Sequence, residues 1–214
     1  AAEHERPLMK LAVVDYGAGN LRSVLKALYA IGTDPYVARV PADASGASGL
    51  VVPGVGHFGA TRALGDDWRA VLRAPAVPLL GICLGMQLLF EGSDEAPDVP
   101  GLGFFAGTIA RMHGRAREES NAALKIPHVG WNTLEPIAAS PLFANVEPNA
   151  AAYFTHSFAA PPGDGTVAVT THGATFASVV DRGGVCGMQF HPEKSGRAGL
   201  MLLRNWVRRC SASV

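Results

Sequence analysis

The 214-residue chain has few cysteines, no net charge and no long apolar run. Cys83, Cys186 and Cys210 are an odd, widely spaced set. They form neither a disulfide framework nor a C-x-x-C metal pattern, which points to a reducing, cytoplasmic setting. Eighteen basic residues cancel eighteen acidic ones, which argues against a chain built to grip nucleic acid by its phosphates. The apolar stretches are strand-sized, far below the roughly 20 residues of a membrane span. Segment 1–8, AAEHERPL, is charged and lacks an apolar core. It reads as an N-terminal extension ahead of Met9, a candidate natural start, and not as a signal peptide. Internal repeats and low-complexity tracts are absent. The histidines His4, His57, His113, His128, His156, His172 and His191 show no metal-ligand spacing, so no metal is expected. Gly17-x-Gly19-x-x-Arg22 lacks the third glycine of a dinucleotide fingerprint, so no such cofactor is expected either.

What is present is a composition for a folded core: 48% hydrophobic and 17% charged residues. The length suits one domain, residues 9–214. Segments 10–15, 49–52 and 78–82 read as short buried strands. Leu21, Val24, Leu25 and Leu28 recur at helical spacing behind Asn20, a candidate N-cap. His57 to Leu72 reads as one helix that buries Ala60, Ala63, Leu64, Trp68 and Val71. Leu84 to Phe90 continues the third strand as a helix. Strands alternating with helices predict an α/β fold, a mostly parallel central sheet flanked by helices. Beyond Glu91 the pattern changes. Strand candidates at 107–111, 124–134, 151–158, 166–171, 175–180 and 184–190 predict an additional antiparallel β region in the second half. A last helix is expected from Ser195, its cap, to Arg209, with Leu200, Leu203, Trp206 and Val207 inward. The mixed-sign stretch Arg111–Glu119 reads as a solvated loop.

The sharpest chemical signal is Gly81-Ile82-Cys83-Leu84-Gly85, an apolar strand running into a helix with cysteine at the junction. That is the pattern of a nucleophile elbow, with cysteine in place of serine. A buried cysteine in a packed βα turn is the alternative. His191, in Gln189-Phe190-His191-Pro192-Glu193, follows the 184–190 strand and so reaches the same sheet rim. Glu193, two residues on in an extended segment, projects to the same side and can hold the far imidazole nitrogen. Leu84 N–H, directly after the nucleophile, is a candidate oxyanion donor. The loop Pro53-Gly54-Val55-Gly56 can turn further N–H groups toward a substrate, or be an ordinary βα turn. In Lys125–Asn132, KIPHVGWN, His128 and Trp131 either sit on a partner face or belong to the core.

Together, GICLGMQ, PGVGHFG and FHPEKS resemble the class I (triad) glutamine amidotransferases. DYGAGNLRSV, KIPHVGWN, YFTHSF and HPEKSG are similar to the glutaminase subunits of imidazole glycerol phosphate synthases within that family. The resemblance covers about residues 10–210 and implies a flavodoxin-like fold. It implies that Cys83, His191 and Glu193 form the catalytic triad and that Val55 and Leu84 N–H groups form the oxyanion hole. Gly56, Gln87, Glu95 and Ser157 are implied as glutamine contacts. Asn20, His128, Val129, Gly130 and Trp131 are implied to face a partner, a cyclase subunit with a (β/α)8 barrel, in a heterodimer. The partner would take ammonia and make imidazole glycerol phosphate and an aminoimidazole carboxamide ribotide, for histidine biosynthesis. The resemblance also implies low glutaminase activity until partner and ligand bind. Two glycines in PGVG allow a peptide flip, so Val55 N–H is expected to point away in the free subunit. Two other readings stay open on the residues alone: a glutaminase feeding another synthase, and a cysteine hydrolase acting by itself.

Overall fold

Continuous apolar runs become strands buried on both faces, which is what a parallel sheet under two helical layers requires. The computed structural model describes residues 8–113 and 124–212. In chain order the first half runs β1 (Lys10–Val14), α1 (Leu21–Ala30), β2 (Asp34–Ala38), β3 (Gly49–Val52), α2 (Gly65–Arg73), β4 (Leu79–Ile82) and α3 (Leu84–Leu88). The second half runs β5 (Gly92–Ser93), β6 (Thr108–Arg111), β7 (His128–Thr133), β8 (Glu135–Pro136), β9 (Ala151–His156) and β10 (Phe158–Ala159). It continues through β11 (Thr166–His172), β12 (Ala174–Arg182) and β13 (Val185–Met188) to α4 (Gly196–Ala212).

The main sheet has the order β2-β1-β3-β4-β13-β12-β11-β8. The first four strands and β13 are parallel; β12, β11 and β8 extend the sheet antiparallel. Strand alternation feeds two cores. Leu11, Val13 and Val51 join Val24, Leu28, Leu203 and Trp206 on one face. Ala12, Val14 and Val52 join Leu64, Trp68 and Leu72 on the other. Two small sheets, β7–β9 and β10-β6-β5, stand beside the main one. Among the described residues no helix is long and apolar enough to cross a membrane.

Several expectations are corrected. The helix expected over His57–Leu72 is broken: a 3-10 segment, Phe58–Leu64, meets α2 at Gly65, whose φ of 63° ends the first turn geometry. The buried side is therefore Phe58, Thr61, Leu64, Trp68 and Leu72, while Ala60 and Ala63 are exposed. The strand expected at 151–158 is interrupted at Ser157 and splits between two sheets. Ser195 does not spend its hydroxyl on α4: it donates to the His191 carbonyl at 2.6 Å and accepts from Tyr153 N–H at 2.9 Å. Strand β2 was not foreseen. Apart from Leu8, the expected extension 1–8 lies outside the described residues, as does the charged stretch beyond His113.

Candidate active site

The β4–α3 turn carries Cys83 at φ 53° and ψ −106°, a backbone conformation that L-residues rarely adopt. The surroundings enforce it. A Cβ on Gly81 would fall on the Gly85 carbonyl, and one on Gly85 would fall on the Val52 carbonyl oxygen. Glycine at both positions lets α3 start directly over the sheet. Cys83 N–H donates to Met188 O at 2.8 Å, which ties the elbow to the end of β13. That strand runs parallel to β4 with Gly187 opposite Gly81 and Met188 opposite Ile82. Both strands end at one rim, where open α/β sheets place their ligands.

The chain leaving β13 delivers His191. Its N–H donates to Tyr153 O at 2.9 Å, and its carbonyl takes the Ser195 hydroxyl, so the backbone is held from two sides. His191 Nδ1 lies 2.8 Å from Glu193 Oε1, with both side chains nearly inaccessible to water. A carboxylate only accepts, so Nδ1 carries the proton and Nε2 is left basic in the neutral ring. Nε2 is buried outside strict hydrogen-bond geometry to any described group. Burial is the largest influence on the ring and disfavours its charge. Interactions with Cys83 and Glu193 outweigh burial and lift the pKa to about 9. The sulfur itself has two further neighbours: Gln189 Nε2 at 3.8 Å and the Thr155 carbonyl at 4.0 Å.

A cavity of about 390 Å3 opens over Cys83 and is lined by Val55, Gly56, Leu84, Gln87, Glu95 and Ser157, together with Thr155 and His156. Glu95 Oε2 accepts from Phe58 N–H at 2.7 Å, and among the described residues its other carboxylate oxygen has no hydrogen-bond partner. Gln87 spends its amide nitrogen inward, on Phe158 O at 3.0 Å and Gln189 Oε1 at 3.2 Å. Gln189, Thr155 and His156 were not singled out from the sequence. Gln189 sits two residues before His191 in an extended stretch, and that same-side spacing was the available signal.

The two expected oxyanion donors are not presented together. Leu84 N–H donates to Gly54 O at 3.3 Å. In a trans peptide the N–H points opposite to the C=O. Val55 N–H, in the same peptide plane as Gly54 O, therefore points away from Leu84. The loop is backed by Tyr16, whose buried hydroxyl has no described partner, and by Gly19, where a Cβ would lie 3.3 Å from Gly54 Cα.

The expected partner strip is also only partly outward. On β7, Val129 and Trp131 are more than half exposed, and Gly130 is half-buried. His128 is corrected: strand alternation turns it inward, 3% exposed, onto Phe154 and His172. Asn20 is exposed and caps α1 by accepting from Ser23 N–H at 3.3 Å. Among the described residues no group of three or more His, Cys, Asp or Glu side chains is placed to hold a metal ion.

Residues 12–210 match the family model for glutamine amidotransferase class-I. The chain is similar to the imidazole glycerol phosphate synthase subunit HisH of Symbiobacterium thermophilum, with 46% identity over 209 residues and 94% of each chain covered. It is 46% identical to the same subunit of Deinococcus radiodurans, covering 95% of each chain. The subunit of Thermococcus kodakarensis is 45% identical, with 92% of this chain and 99% of that one covered. Among solved structures it resembles PurLQS from Thermotoga maritima with a TM-score of 0.66 and 17% identity, covering 94% and 98% of the two chains. A structure described as a glutamine amidotransferase gives a TM-score of 0.69 at 19% identity, with 94% and 98% covered. Those two likenesses speak for the fold alone.

Proposed function

The chain belongs to the class-I glutamine amidotransferase family, alongside the HisH subunits of imidazole glycerol phosphate synthase, and we propose that it is the glutaminase of such a synthase. One observation carries the reading: a cysteine strained on an elbow opens into a cavity, with a buried His191–Glu193 pair behind it. The reaction is acyl transfer. Cys83 sulfur attacks the side-chain carbonyl carbon of glutamine, forming a C–S bond and a tetrahedral oxyanion. His191 takes the thiol proton and gives it to the departing nitrogen, which leaves as ammonia. His191 then takes a proton from water, whose oxygen attacks the γ-glutamyl thioester and releases glutamate and the thiol. Glu193 holds the imidazole in the required tautomer throughout. In the cavity, Glu95 faces the substrate ammonium by charge. The backbone at Ser157 meets the α-carboxylate, and Gly56 and Gln87 complete the wall.

The oxyanion donors belong to an active conformation that differs from the one described above. Rotating the Gly54–Val55 peptide removes Gly54 O from Leu84 N–H and turns Val55 N–H toward the nucleophile. Gly56, at φ 102°, and Gly54 give the loop the freedom to do this. Gly19, in the loop Gly17–Asn20, lies so near Gly54 that an added Cβ would sit 3.3 Å from its Cα, which gives pressure from a partner on that surface a short route to the peptide. The partner is a (β/α)8 cyclase subunit, bound through Asn20, Val129, Gly130 and Trp131 to make a heterodimer in the cytoplasm. It uses the ammonia to form imidazole glycerol phosphate.

The test is glutamate release from glutamine, with and without the cyclase and its nucleotide ligand. Stimulation by the pair is expected, and its absence sinks the assignment. Cys83→Ala should abolish glutamine-dependent synthesis and leave ammonia-dependent synthesis by the complex intact.

A further inference from the structure

The nucleophile is reached by a hydrogen-bond chain that the triad chemistry does not use, and its direction follows from one backbone carbonyl. Phe158 O can only accept. Two donors meet it: His156 Nδ1 at 2.8 Å and Gln87 Nε2 at 3.0 Å. The Gln87 amide is therefore oriented with nitrogen toward the carbonyl. Its second N–H points at Gln189, so the atom of Gln189 at 3.2 Å from it must be the oxygen. With its oxygen held there, the Gln189 amide has its nitrogen, and only its nitrogen, facing Cys83 Sγ at 3.8 Å. Gln189 is fully buried, so water offers its amide no substitute partner, and Gln87 is 5% exposed.

On its other side the same carbonyl fixes two histidines. His156 carries its proton on Nδ1, so its Nε2 accepts from His128 Nδ1 at 3.1 Å. His128 Nε2 in turn accepts from Asn132 Nδ2 at 3.3 Å, and Asn132 also donates to Thr171 O. Every link has one donor and one acceptor as long as both rings are neutral. Burial, reinforced for His128 by the neighbouring histidines, holds His128 to about 3 and His156 to about 4. The two arms thus converge on the Phe158 carbonyl: Asn132, His128 and His156 donate toward it from β7, while Gln87 donates to it and, through Gln189, toward the sulfur, and neither ring changes protonation near neutral pH.

We propose that Gln189 is a positioning residue for Cys83, its amide nitrogen donating to the sulfur and its orientation locked through Gln87 to the Phe158 carbonyl. The inference rests on the glutaminase reading above and deepens it. The sulfur has two opposite partners. The Thr155 carbonyl can accept from a thiol only, and the Gln189 N–H can donate to a thiolate. Gln189 therefore favours the reactive form, alongside His191, whose Nε2 takes up the proton that the sulfur gives up. Tyr16 is a further titratable neighbour of Cys83, and burial keeps its phenol neutral.

The test is alkylation of Cys83 by iodoacetamide across about pH 5 to 10 in the full chain, read on the Cys83 peptide by mass spectrometry; Cys186 and Cys210 are buried and separately identified. Gln189→Leu removes the donor without adding charge. Gln189→Met keeps most of the volume and likewise lacks a donor, a second variant should the leucine chain not fold. Either variant should alkylate about tenfold more slowly near pH 7, the scale of one hydrogen bond to a charged group, with the profile displaced to higher pH. In the complex, kcat for glutamate release should fall similarly while KM for glutamine stays within threefold. Gln87→Leu, which frees the Gln189 amide to rotate, should shift the profile the same way by less. A wild-type rate and profile in the folded Gln189 variants overturns the proposal. If the unaltered complex releases no glutamate, the glutaminase reading falls, and the alkylation profile still decides the role of Gln189.

Discussion

Replacing Val55 by proline removes one N–H and leaves most else in place, which isolates the switching peptide. Val55 is 38% exposed, and its N–H donates to no described acceptor in the conformation seen here. Its φ is not in the positive range, so a proline ring is compatible with the backbone on that count. Gly54, which precedes it, tolerates the restriction that proline imposes. The resting fold should therefore lose little, and the thermal midpoint should stay within a few degrees of the parent. The stimulated state is different. In the proposed stimulated state Val55 N–H is the second oxyanion donor; losing that donor alone costs about 3–4 kcal/mol of barrier, two to three decades in rate, and this is a floor, because a proline's fixed φ also resists the rotation that frees Leu84 N–H. The assay is stimulated glutamate release by the complex, with Val55→Ala beside it to subtract the side chain. Cys83 alkylation in the free subunit should be unchanged, since no oxyanion forms in that reaction. A Val55→Pro enzyme within threefold of Val55→Ala would refute the flip, because a proline cannot supply the donor in any conformation.

Three further outcomes follow from the site. Cys83→Gly should be more stable than Cys83→Ala by about 1 kcal/mol in urea unfolding, because glycine alone is at ease at φ 53°; the opposite order would mean that the elbow is unstrained. His191, raised to about 9, binds its proton more tightly folded than unfolded. Its contribution to stability is whole below the unfolded value near 6.5 and disappears as pH rises through about 9. The difference in urea midpoint between parent and His191→Asn should shrink over that interval, and a flat difference would contradict the raised value. Trp131→Ala should weaken the grip on the cyclase at least about tenfold in a binding titration, the scale of an exposed aromatic anchor, without altering Cys83 alkylation. Unchanged affinity would remove Trp131 from the interface.

Much of this architecture is readable from composition and spacing, for a physical reason. Gly49–Val52, Leu79–Ile82 and Val185–Met188 are buried on both faces, so their sequences are apolar without interruption. The elbow is legible because only glycine fits at positions 81 and 85. Strand β2 escaped because it is an edge: Pro35 is tolerated there, where one side of the strand needs no partner, and its mixed burial gives no period. The break at Gly65 escaped because apolar residues on the two sides keep a near-helical spacing across it. His128 was read with its neighbours as one strip, although a strand separates adjacent side chains to opposite faces. The expected oxyanion donors could be named as residues, but not the state of the loop that carries them. Nothing in PGVG says which way a peptide plane faces when two glycines allow both. The spacing of Gln189 from His191 hints at its side of the strand, but its role needed the structure, because it depends on which end of an amide faces the sulfur.

In the proposed switch the Gly54–Val55 peptide is a single rigid plane that bears on both candidate donors, and this would set how the enzyme idles. A half-built hole is not among its conformers: when Gly54 O occupies Leu84 N–H, Val55 N–H is turned away as well. Wasteful hydrolysis of glutamine in the absence of a synthase partner is then governed by how often the plane turns over spontaneously. At about 1.4 kcal/mol per decade, a plane held back by roughly 4 kcal/mol leaks at about a thousandth of its full rate. Substitutions under the loop, at Tyr16 or Gly19, would set that leak without touching the groups that break the bond.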